Sequence, residues 1–194
     1  MLQNHLKHYQ IILASQSPRR AELLKQLGLD FSLDCKSVEE IYPKGLKNKE
    51  IAIYLSQLKA SPFQKEVRNT NKLVITSDTI VCLGNEVLGK PTDRNDAINM
   101  LKKLSGKLHE VITGVSLTSS NKQKSFAVAT QVFFKTLPIT EIEYYVDNFE
   151  PYDKAGAYGI QEWIGMTGIE KIEGSYFNVV GLPLQKLYME LMKF

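Results

Sequence analysis

Residues 13–20, LASQSPRR, follow the apolar pair Ile11 and Ile12 and constrain the fold more than any other part of the chain. They predict a strand that turns into a helix, because Ser17 is a favoured N-cap residue and Pro18 suits the first helical position. The next residues, AELLKQLG, have apolar positions at helical spacing and end on a glycine, as a helix with a glycine stop does. The segment therefore predicts a strand–turn–helix unit.

Two arginines, Arg19 and Arg20, stand in the first turn of this predicted helix. Positive charge there opposes the helix macrodipole by about 0.3–1 kcal/mol per residue. A bound polyanion reverses the sign of that effect. Exposed N–H groups, hydroxyls and guanidinium groups at one helix start therefore predict a phosphate site. For the motif taken alone, an arginine pair on a solvated surface turn is the alternative.

Composition and charge exclude several classes of protein. The 194 residues are 43% hydrophobic and 23% charged, which is ordinary for a soluble globular protein, and we expect a single domain over residues 1–194. A net charge of +3 with basic residues spread along the chain does not favour nucleic-acid binding. Cys35 and Cys82 lack metal-ligand spacing and are expected to be reduced thiols. With no signal peptide or membrane segment in the sequence, we expect a cytoplasmic protein without a membrane partner.

The order of helix and strand patterns predicts a mixed α/β fold. Residues 73–83 form a strongly β-branched strand that contains Asp78. A buried carboxylate is costly unless cations or hydrogen bonds meet it, so Asp78 is expected to be paired or functional. An aspartate that caps a neighbouring turn is the alternative. Further along the chain, Thr140 and Glu143 match a capping box and predict a helix start.

Two other patterns have ordinary structural explanations. Residues 84–91, GNEVLGKP, match a Walker A loop up to the last position, where Pro91 lacks the required hydroxyl and biases Lys90 away from helical geometry. We therefore predict a hairpin followed by an exposed lysine. His109 is expected to be structural, since no second histidine or cysteine lies at ligand spacing. Residues 153–161, DKAGAYGIQ, suit close approach of the backbone to a ligand, although a surface turn uses the same residues.

Taken together, six ordered blocks from about residue 11 to residue 191 resemble the Maf family of nucleoside triphosphate pyrophosphatases. The blocks are SQSPRR (15–20), SDTIV (77–81), LGKP (88–91), LSG (104–106) with His109 and TGV (113–115), residues 153–161, and GS (174–175) with residues 179–184. The resemblance implies an elongated mixed β-sheet flanked by helices, in two lobes with a central cleft, as in Maf and ITPase-like proteins. It also implies hydrolysis of a nucleoside triphosphate to the monophosphate and pyrophosphate with a divalent metal cation, Mg or Mn, by a homodimer.

By matched position, the resemblance assigns roles to individual residues. Asp78 is implied as the proton acceptor that activates water. The phosphate-binding residues are implied to be Ser15, Arg20, Lys59 and Lys90. Glu40 is implied to join Asp78 around the metal. The specificity positions read Arg19, Thr79 and Gln161, which resembles the branch that acts on dTTP and UTP. One departure is that Glu162 and Trp163 follow Gln161 where many relatives have a glycine.

Two alternatives remain open at this point. In the first alternative, the chain is an enzyme of the 7-methylguanosine triphosphate branch. In the second, it is a nucleotide-binding regulator of septum formation. The intact set of Asp78, Arg20, Lys59 and Lys90 favours turnover, because a sensor does not need the base. Whether the role is to clear non-canonical nucleotides or to control division is also open.

Overall fold

A computed structural model describes all residues, 1–194, and contains one seven-stranded mixed sheet. The strands are β1 (Gln10–Ala14), β2 (Ser32–Leu33), β3 (Lys72–Leu83), β4 (Glu86–Leu88), β5 (Leu108–Thr118), β6 (Gln123–Phe134) and β7 (Ile169–Glu173). Their order is β2-β1-β3-β5-β6-β7, with β4 paired to β3. β1 runs parallel to β2 and β3, whereas β4 and β7 are antiparallel to their neighbours. The mixed sheet predicted from the family resemblance is confirmed.

Nine α-helices flank the sheet. They are α1 (Leu2–Leu6), α2 (Pro18–Gln26), α3 (Lys49–Ala60), α4 (Gln64–Val67), α5 (Arg94–Leu104), α6 (Ile139–Phe149), α7 (Trp163–Gly168), α8 (Tyr176–Val180) and α9 (Leu184–Leu191). Short 3₁₀ turns span Ser61–Phe63, Pro151–Asp153 and Ala155–Ala157. None of the helices combines the length and the apolar character that crossing a bilayer requires.

The chain divides into two compact units. The first unit comprises Met1–Asp78, Thr113–Val128 and Gly181–Phe194, and the second comprises Thr79–Ile112 and Ala129–Val180. The predictions of a single domain over residues 1–194 and of a central cleft stay predictions.

In the first unit, the register of the parallel strands fixes where the chain leaves the sheet. Ala14, the last residue of β1, lies opposite Thr76 of β3. Because parallel strands run in the same direction, the chain that leaves β1 after Ala14 lies beside Ser77, the residue after Thr76 on β3. The start of α2 is therefore close to Ser77. α2 begins as predicted: Pro18 is its first residue, and the hydroxyl of its N-cap, Ser17, accepts a hydrogen bond from the Arg20 N–H at 3.5 Å.

In the second unit, α5 and α6 pack their apolar faces around a shared core. Leu101 and Leu104 of α5 and Ile142, Tyr145 and Val146 of α6 are all buried in it, and a fully buried aliphatic side chain contributes about 1.5–3 kcal/mol. The predicted capping box is wrong, because α6 begins before it. The N-cap is Pro138, which has extended backbone angles and no side-chain cap.

The hairpin after β3 also has the predicted form. β3 and β4 are antiparallel and are joined through Gly84, whose φ of +61° favours glycine. Lys90 follows β4 in a loop, and the next helix begins only at Arg94. The structure therefore agrees with the rejection of a Walker A loop, which needs a helix directly after its lysine.

His109 is buried in an aromatic cluster of the second unit, where its Nε2 lies 2.8 Å from the Tyr158 hydroxyl oxygen. The rings of Phe134 and Tyr158 lie 5.1 and 5.4 Å from the imidazole. Burial lowers the pKa of His109 from 6.5 to about 4. The neutral form is therefore the one that the folded protein accommodates.

This shift predicts acid lability. Between pH 6.5 and about 4, the imidazole takes up a proton in the unfolded chain but not in the folded one. The free energy of unfolding should therefore decrease as the pH is lowered across this window, by about 3 kcal/mol over the whole window. Urea denaturation at pH 7 and pH ~4.5 measures it. His109→Gln should reduce this decrease in the free energy of unfolding, and His8→Gln, at an exposed histidine, should not. An equal decrease in both variants would contradict the assignment of the effect to His109.

Candidate active site

The first part of the site forms where β1 gives way to α2. Ser15 is buried, and its Oγ accepts a hydrogen bond from the Ser17 N–H at 3.2 Å. Arg20 Nη1 lies 3.5 Å from the same oxygen. The strand–turn–helix unit therefore directs a hydroxyl and a guanidinium group to one place, as its sequence predicts.

The guanidinium group of Arg20 also binds two backbone carbonyls from distant parts of the first unit. Its Nε donates to the Gly181 oxygen at 2.9 Å, and its Nη1 donates to the Ser77 oxygen at 3.0 Å. Burial lowers the pKa of Arg20, and the nearby Asp78 charge opposes this change. A guanidinium group does not lose its proton in proteins, so Arg20 remains a cation at neutral pH. Two carbonyls thus hold in place an arginine that the sequence associates only with an anion.

The second part of the site is an ion-pair cluster around Lys59, in the last turn of α3. The Lys59 ammonium contacts Asp78 Oδ1 and lies 3.0 Å from Glu40 Oε1. The side chain of Asp78 is 9% exposed, whereas that of Glu40 is 46% exposed. Asp78 is therefore paired, as its position in an apolar strand predicts, and the ammonium compensates its desolvation.

Five of the predicted residues thus come together in the first unit. We call this set the carboxylate–cation cluster: Ser15, Arg20, Glu40, Lys59 and Asp78. Arg19, also a predicted residue, is the neighbour of Arg20 on α2 and is half-buried.

The remaining predicted residues, Thr79, Lys90 and Gln161, belong to the second unit. Thr79 is half-buried on β3, directly after Asp78, while Lys90 and Gln161 are exposed. The Gly156 N–H donates to the Gly89 oxygen at 3.0 Å, so the Lys90 loop lies beside residues 153–161. Gly156 has a φ of +70°, and a Cβ there would lie 3.0 Å from Val81 Cγ1. Gly156 thus allows the backbone of this segment to pack closely against Val81. The roles of all nine residues stay predictions.

Sequence reasoning missed a second polar network, centred on Glu162. Its carboxylate accepts a hydrogen bond from the Tyr145 hydroxyl and lies 3.0 Å from Lys154 Nζ. Tyr145 is interpreted from the sequence only as an apolar position of α6. The sequence signal that points to this network is a charged residue, Glu162, directly after the predicted specificity residue Gln161.

Glu40 and Asp78 are the metal ligands that the resemblance implies. The structure contains no group of three or more His, Cys, Asp or Glu side chains that could hold a metal ion. Mg²⁺ does not need such a group, because it is commonly held by one or two carboxylates together with substrate phosphates and water. Glu40 and Asp78 face a common cation, the Lys59 ammonium, so their oxygens fit a hard divalent cation of this kind.

The fold is a mixed β-sheet flanked by helices, and a serine, an arginine and a lysine lie near a buried aspartate. These features define a protein with a candidate site for a phosphorylated ligand. Residues 10–194 match the sequence profile of the family described as Maf-like protein. The chain belongs to this family.

Curated relatives match almost the whole chain. One from Flavobacterium psychrophilum is 53% identical over 99% of this chain and 98% of its own, and one from Phocaeicola vulgatus is 52% identical over 100% of both. One from Bacteroides fragilis is 53% identical over 98% of both chains. All three relatives are named dTTP/UTP pyrophosphatase.

The fold also resembles that of a solved structure. A HAM1 protein from Coxiella burnetii is 16% identical, with a TM-score of 0.52 over 96% of this chain and 100% of that one. At this identity, the likeness concerns the fold alone.

Proposed function

We propose that this chain hydrolyses dTTP and UTP to the nucleoside monophosphate and pyrophosphate. Water attacks the α-phosphorus, the bond from that phosphorus to the bridging oxygen of the β-phosphate breaks, and pyrophosphate leaves. The observation that carries the proposal is the carboxylate–cation cluster, in which one buried carboxylate lies among cations. The names of relatives at 52–53% identity over the full chain support the choice of substrates.

In this proposal Asp78 accepts the proton of the attacking water. Such a reaction needs little covalent chemistry from the protein. It needs a positioned water, a general base and neutralisation of phosphate charge. Lys59 and Arg20 supply positive charge beside Asp78, and the Ser15 hydroxyl adds a hydrogen-bond donor. Lys90 is proposed as a further phosphate ligand.

A divalent cation is part of the proposal, since Maf-family pyrophosphatases generally use one. Glu40 and Asp78 would hold it, with Mg or Mn as the candidates. When bound, the cation supplies charge neutralisation for the phosphates and a Lewis acid. Lys59, which contacts both carboxylates, keeps them close together before substrate arrives.

We assign selection of the nucleobase to Arg19, Thr79 and Gln161. Thymine and uracil present a carbonyl at position 4, where cytosine presents an amino donor. Arginine only donates, so Arg19 favours the carbonyl and opposes cytosine. Gln161 alone cannot discriminate, because its amide can flip to present either a donor or an acceptor. Thr79 is proposed to add a short hydroxyl contact to the nucleobase.

Arg19→Ala is therefore expected to lower the preference for UTP over CTP. A site whose donors are left unpaired by the wrong base rejects it by about 1–3 kcal/mol, which is about 5-fold to 150-fold. The measurement is the ratio of kcat/KM for UTP and CTP in wild type and variant. An unchanged ratio would remove Arg19 from base selection and leave it with the phosphates beside Arg20.

A panel of triphosphates with detection of pyrophosphate tests the function as a whole. The panel contains dTTP, UTP, CTP, the purine triphosphates and 7-methylguanosine triphosphate, each with Mg²⁺, with Mn²⁺ and with EDTA. We expect pyrophosphate from dTTP and UTP with a metal and little without one. Release chiefly from 7-methylguanosine triphosphate would favour the other branch. Binding without release would favour a regulator.

Light scattering of the same protein tests the proposed homodimer.

A further inference from the structure

The Glu162 carboxylate joins three segments of the second unit. One oxygen, Oε2, accepts a hydrogen bond from the Tyr145 hydroxyl of α6. The other, Oε1, lies 3.0 Å from Nζ of Lys154, which stands between the 3₁₀ turns Pro151–Asp153 and Ala155–Ala157. A single side chain thus ties residue 162 both to a core helix and to the start of the preceding loop.

Both partners of Glu162 are largely removed from water. Tyr145 is fully buried, and the Lys154 side chain is 10% exposed. Burial raises the pKa of Tyr145 and the Glu162 carboxylate raises it further, so the phenol keeps its proton and donates a hydrogen bond to the carboxylate. Charge-assisted hydrogen bonds are strong in such surroundings. Loss of the carboxylate leaves the buried Tyr145 hydroxyl without its acceptor, while Lys154 retains an ion pair with the exposed Asp153.

The same network fixes the loop on the other side of Gln161. The Tyr145 hydroxyl oxygen accepts a hydrogen bond from the Gly159 N–H at 3.0 Å, and the Glu162 N–H donates to the Gly159 oxygen at 3.0 Å. A Cβ on Gly159 would lie 2.7 Å from Glu162 Cδ, so only glycine allows the carboxylate to come this close. Residues 159–162 therefore form a turn that is held at both ends, with Gln161 exposed on it.

Trp163 anchors the turn from the side of α7. Its indole packs edge-on against the ring of Tyr144, at 5.0 Å between centroids. Tyr144 neighbours Tyr145 on α6, so α6 contacts the residues on both sides of the Gln161 backbone. Glu162 and Trp163 thus both serve to fix this loop.

We propose that Glu162 is a positioning residue that holds Gln161 where it contacts the nucleobase. The inference rests on the proposed function, in which Gln161 contacts the base. A group held in advance recognises its ligand at a lower entropic cost. Loss of Glu162 should therefore lower the affinity for pyrimidine triphosphates and affect the chemical step little.

The experiment compares Glu162→Ala, Glu162→Gln and Tyr145→Phe with wild type, using kcat and KM for UTP, dTTP and CTP. Glu162→Ala should raise KM for UTP and dTTP about tenfold and leave kcat within about twofold. The UTP-to-CTP ratio of kcat/KM should stay near that of wild type, because Arg19 and not the Gln161 amide distinguishes the two bases. Tyr145→Phe, which removes the hydroxyl that links Glu162 to Gly159, should act in the same direction. The matched control is Glu86→Ala, which breaks an exposed pair with Lys103 in the same unit and should change nothing.

Glu162→Gln keeps the shape of the side chain and an acceptor for Tyr145, so its effect should be smaller, and it decides the question if Glu162→Ala fails to fold. Variants that melt at a lower temperature but keep the wild-type KM for UTP and dTTP would overturn the inference, because that result shows a structural role only. Wild-type protein that releases no pyrophosphate from any pyrimidine triphosphate contradicts the proposed function, and the inference with it. That outcome differs from an active wild type with unaffected variants.

Discussion

Asp78→Asn is expected to abolish most turnover while the protein still folds and binds nucleotide. Loss of a general base typically lowers the rate by about 10²–10⁴-fold, and loss of a proposed metal contact adds to this. The fold should survive, because asparagine has the same size and its Oδ1 can still accept a hydrogen bond from Lys59, the present partner of Asp78. The effect should therefore appear in kcat.

The measurement is pyrophosphate release from UTP together with binding of a non-hydrolysable analogue. Asp147→Asn is the matched control, since Asp147 is also a carboxylate paired with a cation, Arg94, but in an exposed position. Folded Asp78→Asn protein with a rate within about twofold of wild type would eliminate Asp78 as the base. A protein that no longer binds the analogue would instead place Asp78 in ground-state binding.

That Asp78 must be either paired or functional could be predicted from the sequence alone. An ionised side chain inside a β-branched strand conflicts with the cost of desolvation, and such a conflict is visible without a structure. Its partner is not visible, because Lys59 lies on a separate helix and its spacing from Asp78 along the chain follows no local rule. Tertiary packing of α3 against the sheet brings the two together.

Arg20 shows a different limit of sequence reasoning. The macrodipole argument predicts an anion near Arg20, and it treats the helix start as an isolated unit. In the structure, the guanidinium group also donates to the carbonyls of Ser77 and Gly181, which are 57 and 161 residues away. These acceptors offset the unfavourable dipole before any ligand binds.

Periodicity explains the missed network in the second unit. Tyr145 falls on the apolar stripe of α6 and is fully buried there, so the pattern classifies it correctly as core. The pattern says nothing of its hydroxyl, which a buried tyrosine must pair with another polar group. Because that group, Glu162, comes from a loop, no spacing rule reveals the pair.

Arg20→Ala is expected to weaken binding of every triphosphate by a similar factor, because it removes a phosphate contact that all of them share. A hydrogen bond to a charged group contributes about 1.5–3 kcal/mol, which is about 10-fold to 150-fold in affinity. The same substitution removes the donors to Ser77 and Gly181, so the free protein should also melt at a lower temperature. Arg20→Lys keeps the charge but cannot serve both carbonyls in the same geometry, so it should recover part of the affinity and less of the stability.

Calorimetry with non-hydrolysable analogues of dTTP and CTP separates these effects, because affinity is measured at a temperature where every variant is folded. Nucleotide should raise the melting temperature of wild type, since it binds only the native state, and this increase should be smaller in Arg20→Ala at the same nucleotide concentration. Arg94→Ala, at an exposed arginine paired with Asp147, is the control and should retain the increase. If Arg20→Ala binds both analogues as tightly as wild type, the arginine serves only to join β3 and Gly181 to α2, and the phosphate site at this helix start is wrong.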